Sequence, residues 1–128
     1  MQDEPTPIEL TRAVADFLRN DIAPGISGHN AFKLRVAINI LELVTRQLTL
    51  AEGSDDAESA RLAGLLGTEA SLTELNRVLA GKIASGEVDL KTPGLSEHLW
   101  QTTLAKLAVD QPNYASYKRE VGRGGGGA

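Results

Sequence analysis

One segment, residues 29–50, constrains the fold of this chain most, because it is apolar on almost every side when read as a helix. A single narrow polar line at helical spacing interrupts the apolar surface. A helix that is apolar nearly all round is normally covered by neighbouring elements. The segment therefore predicts the central and most buried helix of an all-α protein, or a helix that carries a partner surface as well as a core. Its two apolar stripes are Phe32, Val36, Ile40 and Leu43, and Leu34, Ile38, Leu41 and Leu48.

Start and stop signals predict further helices on either side of this segment. Thr6 and Ser71 are each followed three residues later by Glu, which is the pattern of a helix-capping box. The first of these helices carries an apolar face of Leu10, Val14, Phe17 and Leu18. Gly86 is suited to the end of the helix that begins after Ser71. These signals place helices before and after the central one.

Two polar stretches predict where helices end. Glu52-Gly53-Ser54 predicts a break after the central helix, and Asp110-Gln111-Pro112 ends the last helix. No segment shows sustained period-two alternation, so no strand is expected. We therefore expect an all-α, single-domain helical bundle of about five helices with a long central helix, spanning residues 1–121. Residues 122–128, GRGGGGA, are expected to form a flexible tail.

Composition excludes several classes of protein. The chain has 128 residues, a net charge of −4 and no cysteine. Its acidic balance disfavours binding to a nucleic-acid backbone, which needs a basic face. Lys33, Arg35, Glu42 and Arg46 interrupt the longest apolar segment, so no membrane span is expected. The N-terminus has no signal-peptide pattern, and we expect a cytoplasmic protein.

The sequence offers no catalytic, cofactor-binding or metal-binding constellation. The two histidines, His29 and His98, lie on different segments, and neither belongs to an HxxxH or HExxH pattern. Residues 62–76 resemble the first half of a helix-turn-helix, but the second half lacks apolar and basic residues where DNA reading needs them. The sole tryptophan, Trp100, is interpreted first as core packing and second as an interface anchor. We predict a protein that is not an enzyme by itself.

The polar line of the central helix, Arg35, Asn39, Glu42 and Arg46, is the strongest candidate site. One interpretation is a strip of ion pairs between residues three or four apart, on a solvated edge. The other is a docking strip, because arginine is enriched at interfaces and apolar neighbours exclude water around it. The residues alone leave both interpretations open.

Four blocks of the chain resemble a known family: DEPTPIELTRAVADFL (3–18), GHNAFKLRVAINILELVTRQL (28–48), ELNRVLAGKIASGEVD (74–89) and HLWQTTLAKLAVDQPNY (98–114). They are similar to a bacterial family of small proteins of unknown function, encoded beside aminoglycoside-phosphotransferase-like kinases and acyl-CoA dehydrogenases. The resemblance implies an accessory subunit of a kinase that acts on hydroxyacyl-CoA in 4-hydroxyacid catabolism. It also implies an acyl-CoA dehydrogenase-like enzyme in the same pathway. The family has no established catalytic residues to carry over.

The resemblance leads to a specific expectation about contacts. We expect partner-binding residues in the polar line, Arg35, Asn39, Glu42 and Arg46, and in the distinctive block that contains Asp110, Asn113 and Tyr114. Two alternatives are a stand-alone acyl-CoA-binding protein or small helical enzyme, and, ranked below these, a helix-turn-helix DNA-binding protein. An enzyme or acyl-CoA-binding protein requires a pocket with convergent polar groups, whereas an accessory subunit requires a docking surface.

Overall fold

A computed structural model describes residues 4–126, and every regular element in that range is helical. The five α-helices are α1 (Pro7–Phe17), α2 (His29–Leu66), α3 (Leu72–Ser85), α4 (Leu95–Asp110) and α5 (Ala115–Gly126). A π-helical turn, Leu18–Ile22, and a 3-10 turn, Ala23–Gly25, follow α1. The prediction of an all-α fold with a long central helix is therefore confirmed.

Local signals begin and end several helices as the sequence predicts. The Thr6 hydroxyl accepts a hydrogen bond from the Glu9 amide, and the Ser71 hydroxyl accepts one from the Glu74 amide, both at 3.2 Å. Pro7 fills the first helical position, where its missing N–H has no partner to lose. Gly86 ends α3 with a φ of 82°, a left-handed conformation that glycine adopts at little cost. Both caps satisfy amide groups that a helix start leaves without partners.

The predicted break at Glu52-Gly53-Ser54 is wrong, because α2 continues through these residues as one helix of 38 residues. One glycine in a helix interior costs only about 1 kcal/mol, and the good helix formers Leu50, Ala51 and Glu52 precede this one. The backbone of Gly53 does not take the left-handed conformation that would end a helix. Helix α2 ends instead at Gly67, which has a φ of 71° and donates its N–H to the Ala63 carbonyl.

The chain divides into two compact units at Ala51 and Glu52. The principal cluster of buried residues lies in the C-terminal unit and joins Leu62, Leu75, Leu79, Val88 and Leu95. Leu62 is fully buried. The predicted single domain over residues 1–121 stays a prediction.

The prediction that residues 29–50 form the most buried helical segment is wrong. In this part of α2 only Ile38 and Thr45 are buried, and the stripe residues Phe32, Val36 and Ile40 are exposed. The fully buried residue of the helix, Leu62, lies beyond residue 50. The predicted apolar face of α1 is likewise exposed at Leu10, Val14 and Phe17, whereas Ala15 is buried. Apolar spacing alone does not reveal whether a helix face meets a neighbour.

Two features near the C-terminus also differ from expectation. Trp100 is 46% exposed, so its first interpretation as a core residue is wrong. Helix α5 extends to Gly126, into the stretch 122–128 that glycine content predicts to be a tail. Gly127 and Ala128 lie outside the described residues. Within residues 4–126, no helix is long and apolar enough to cross a membrane.

Candidate functional site

The N-terminal unit is an antiparallel pair of helices that meet through small side chains. Thr11 of α1 and Thr45 of α2 share a hydrogen bond of 2.7 Å between their hydroxyl oxygens, and the buried Ala15 lines the same groove as Thr45. The Thr45 hydroxyl also lies within hydrogen-bond distance of the Leu41 carbonyl, at 2.9 Å. Because Thr11, Ala15 and Thr45 are small, the helices approach closely, and their larger residues lie on the flanks.

One flank of this helix pair is charged. Arg19 forms ion pairs with Asp16 of its own helix and with Glu42 of α2. An open groove of about 280 Å³ runs along the same flank, and its lining includes Arg12 and Arg46 together with both acids. We call this the charged flank, defined by Arg12, Asp16, Arg19, Glu42 and Arg46.

The opposite flank is apolar. Residues two apart on a helix stand about 200° apart, so they lie on opposite sides of it. On α1, Leu10, Val14 and Phe17 each precede a charged-flank residue by two positions. On α2, Val44 and Leu48 each follow one by two positions. We call these five residues the apolar flank; all are exposed except Val44, which is half-buried.

The predicted polar line divides into a structural half and a free half. Glu42 is bound to Arg19, and Arg46 is half-buried in the lining of the groove. Arg35 and Asn39 are exposed, and within residues 4–126 Arg35 makes no ion pair. The ion pair of Glu42 is with Arg19 rather than with a residue three or four positions away on α2, whereas Arg35 and Asn39 remain exposed to a partner.

Exposed apolar residues accompany the free half of the line. Phe32 lies one turn before Arg35, and Val36 one turn before Asn39, so each pair shares a side of α2. Phe32 is 56% exposed, and Val36 is exposed as well. We call Phe32, Arg35, Val36 and Asn39 the docking strip. An arginine with apolar neighbours that can exclude water is a favourable anchor for a protein partner.

The other predicted contact residues lie in the C-terminal unit. Asp110 ends α4, and Asn113 and Tyr114 stand in the connection to α5. All three are exposed. They therefore form a second accessible group, separate in the chain from the docking strip.

The sequence interpretation missed the contribution of α1. Arg12, Asp16 and Arg19 recur at helical spacing on the side of α1 opposite its apolar residues, and this pattern was visible in the sequence. It indicates a helix with two different flanks rather than one that buries its apolar face. The charged residues of α1 form the charged flank only together with Glu42 and Arg46 of α2.

The C-terminal unit contains a buried polar cluster around His98. The Arg61 guanidinium donates to the His98 ring through Nε, at 3.3 Å, and to the Thr102 hydroxyl through a terminal nitrogen, also at 3.3 Å. His98 is only 3% exposed. Within residues 4–126, no group of three or more His, Asp and Glu side chains is placed to hold a metal ion.

These features define the class of molecule: a small all-α protein with a compact C-terminal core and an N-terminal helix pair rich in exposed apolar residues. Residues 24–114 match the family described as a domain of unknown function (DUF6285), and the chain belongs to that family. Comparisons with curated proteins and with solved structures gave no match.

Proposed function

We propose that this protein is a non-catalytic accessory subunit that binds a partner enzyme through the docking strip of α2. The observation that carries the proposal is the exposure of Phe32 and Val36 beside Arg35, which makes no ion pair with any residue from 4 to 126. Exposure of large apolar side chains to water is unfavourable, so a partner that buries them gains binding free energy. The half-exposed Phe32 alone offers on the order of 100 Å² to such a partner.

The proposed partner is an aminoglycoside-phosphotransferase-like kinase that acts on hydroxyacyl-CoA. The choice follows from the resemblance of four sequence blocks to a family encoded beside such kinases. An acyl-CoA dehydrogenase-like enzyme is the proposed neighbour in the same pathway. The kinase surface should present a carboxylate to Arg35, because a planar guanidinium binds a carboxylate through two parallel hydrogen bonds.

The strip requires little rearrangement in order to bind. Its four residues lie on a continuous helix, so their backbone is already ordered before a partner arrives. The Thr11–Thr45 hydrogen bond and the Arg19–Glu42 ion pair hold that helix against α1. An ordered surface spends less of its interaction energy on conformational entropy.

The direct test is co-purification of the kinase with wild-type protein and with charge-reversal variants. Arg35→Glu should weaken the complex at least about tenfold, because it puts a carboxylate opposite the partner's carboxylate. Lys33→Glu is the matched control, since it makes the same charge change on an exposed residue on another side of the same helix. Equal binding by wild type and both variants would contradict the docking strip.

A coupled kinase assay extends the test to function. The chain alone should show no phosphoryl transfer, and kinase stability or activity should rise when it is added. Arg35→Glu should reduce that increase, whereas Lys33→Glu should preserve it. Kinase activity and stability that are indifferent to the chain would contradict the accessory role, even if the two proteins bind.

A further inference from the structure

The apolar flank of the N-terminal unit is exposed, although it is built like half of a helical bundle. Leu10, Val14 and Phe17 of α1 and Leu48 of α2 are all at least two-fifths exposed. The residues of α2 on this side between positions 34 and 48 are Leu34, Ala37, Leu41, Val44 and Leu48. All are apolar, so no charge interrupts the surface along four turns.

The unit buries little by itself. Its buried residues within the described part of the chain are Ala15, Ile38 and Thr45. Two helices that bury only these three residues leave most of their apolar surface in water, and helices normally bury their apolar stripes against a further layer. A second pair of helices laid on the apolar flank would complete a four-helix arrangement, a packing that antiparallel helix pairs readily form.

We propose that the covering element is a second copy of this chain, joined through the apolar flank about a two-fold axis. A two-fold contact places the same patch against itself, so a net charge on the patch is brought against an equal net charge. The apolar flank carries no charge, whereas the charged flank has three arginines against two acids and would bring a net charge of +1 against another of +1. The charge pattern therefore favours the apolar flank as the surface between copies.

The area of the flank suits a dimer. A large side chain has a surface area of roughly 150–200 Å², and about half of it is exposed in each of the four exposed residues. Together these residues offer about 300–400 Å² of apolar area. A standard interface of about 800 Å² per partner, roughly 60% apolar, needs about 500 Å² of apolar area. The half-buried Leu41 and Val44 and the edges of the patch can supply the remainder.

This surface is distinct from the docking strip. Phe32 and Leu48 are sixteen residues apart, which is roughly four and a half turns, so they lie on nearly opposite sides of α2. A dimer formed through the apolar flank therefore leaves Phe32 and Arg35 accessible. Self-association and partner docking can be tested separately.

The test is the mass of the full chain in solution, measured by sedimentation equilibrium with variants of two matched phenylalanines. Wild-type protein should have twice the 13.6 kDa chain mass. Phe17→Glu should raise the dissociation constant of the dimer at least about a hundredfold. Phe32→Glu, which changes an equally exposed residue outside the flank, should leave it unchanged. A wild-type monomer at every concentration, or a dimer broken only by Phe32→Glu, would overturn the proposal.

A second variant and a second measurement distinguish loss of the dimer from loss of folding. Leu48→Glu disrupts the flank from the other helix and should also give a monomer, and both monomers should retain the helical circular dichroism of the wild type. The chain has no cysteine, so a single spin label on Ala13→Cys reports only on other copies. Dipolar coupling between labels should be present in the wild-type background and absent with Phe17→Glu. Coupling that survives both flank variants would contradict the assigned surface.

Discussion

The Nδ1 atom of His98 accepts a hydrogen bond from the Nε of Arg61, 3.3 Å away. An accepting nitrogen carries no proton, so this contact requires a neutral imidazole beside a charged guanidinium. Burial, and secondly the charge of Arg61, lower the pKa of His98, whereas Glu58 opposes them. The cluster therefore stabilises the neutral form of a side chain that is usually solvated.

This contact makes stability depend on pH in a defined direction. As pH falls below about 6.5, the unfolded chain gains a proton on His98 that the folded chain resists, so the free energy of unfolding decreases. The decrease stops once the pH passes below the lowered pKa of the folded state. Urea denaturation at several pH values between about 7.5 and 5.5 measures this decrease in the free energy of unfolding.

The control for the pH prediction is His98→Asn. The amide oxygen of asparagine can accept the hydrogen bond from Arg61 but does not titrate. The variant should lose most of the pH dependence in this range. An unchanged pH profile would show that His98 does not carry the effect.

A second prediction concerns Gly53, where the structure and the sequence interpretation disagree. A Cβ added at Gly53 would meet open space, and the backbone conformation is not left-handed. Gly53→Ala should therefore stabilise the protein by about 0.5–1 kcal/mol, through the higher helix propensity of alanine. Gly86→Ala is the control and should destabilise, because Gly86 has a φ of 82°. Destabilisation by Gly53→Ala in urea denaturation would favour a break in α2.

The third prediction tests whether Thr11 and Thr45 act together. Each Thr→Val substitution removes one hydroxyl of a part-buried pair and should cost about 1 kcal/mol. The double variant should cost less than the sum by about 0.5–1 kcal/mol, because neither hydroxyl then remains to lose its partner. Urea denaturation of all four proteins gives the coupling energy. Strict additivity would mean that the two hydroxyls contribute independently.

The fourth prediction concerns the caps. Thr6→Ala and Ser71→Ala should each lower the free energy of unfolding by about 1 kcal/mol, because an amide at a helix start loses its acceptor. Thr73→Ala, at an exposed position in the first turn of α3, is the control and should have little effect. Partner binding should persist in all three variants. A cost at Thr73 equal to that at Ser71 would argue against capping as the cause.

The features that the sequence predicted correctly depend on local chemistry. The caps at Thr6 and Ser71 and the end at Gly86 involve residues within four positions of one another. Helical periodicity likewise identified the all-α fold class, because apolar residues at this spacing lie on one side of a helix. These properties are set by the backbone and its nearest neighbours.

The features that the sequence did not reveal depend on distant contacts. The hydrogen-bond partner of the buried His98 is Arg61, which is 37 positions earlier, and the exposure of Phe32 reflects a neighbouring helix that meets α2 on another side. Trp100 was assigned to the core by residue type alone. Helical spacing identifies the four residues of the polar line as candidates. It does not reveal that Glu42 forms an ion pair with Arg19, because Arg19 lies on another helix.

The most direct measurement of the central claim is calorimetric titration of the kinase with two matched variants. Phe32 is 56% exposed in the docking strip, and Phe17 is 52% exposed on the apolar flank. Phe32→Ser should weaken kinase binding at least about tenfold, because an apolar anchor is lost. Phe17→Ser should leave the affinity per chain unchanged. Loss of binding with Phe17→Ser and full affinity with Phe32→Ser would contradict docking through α2's strip.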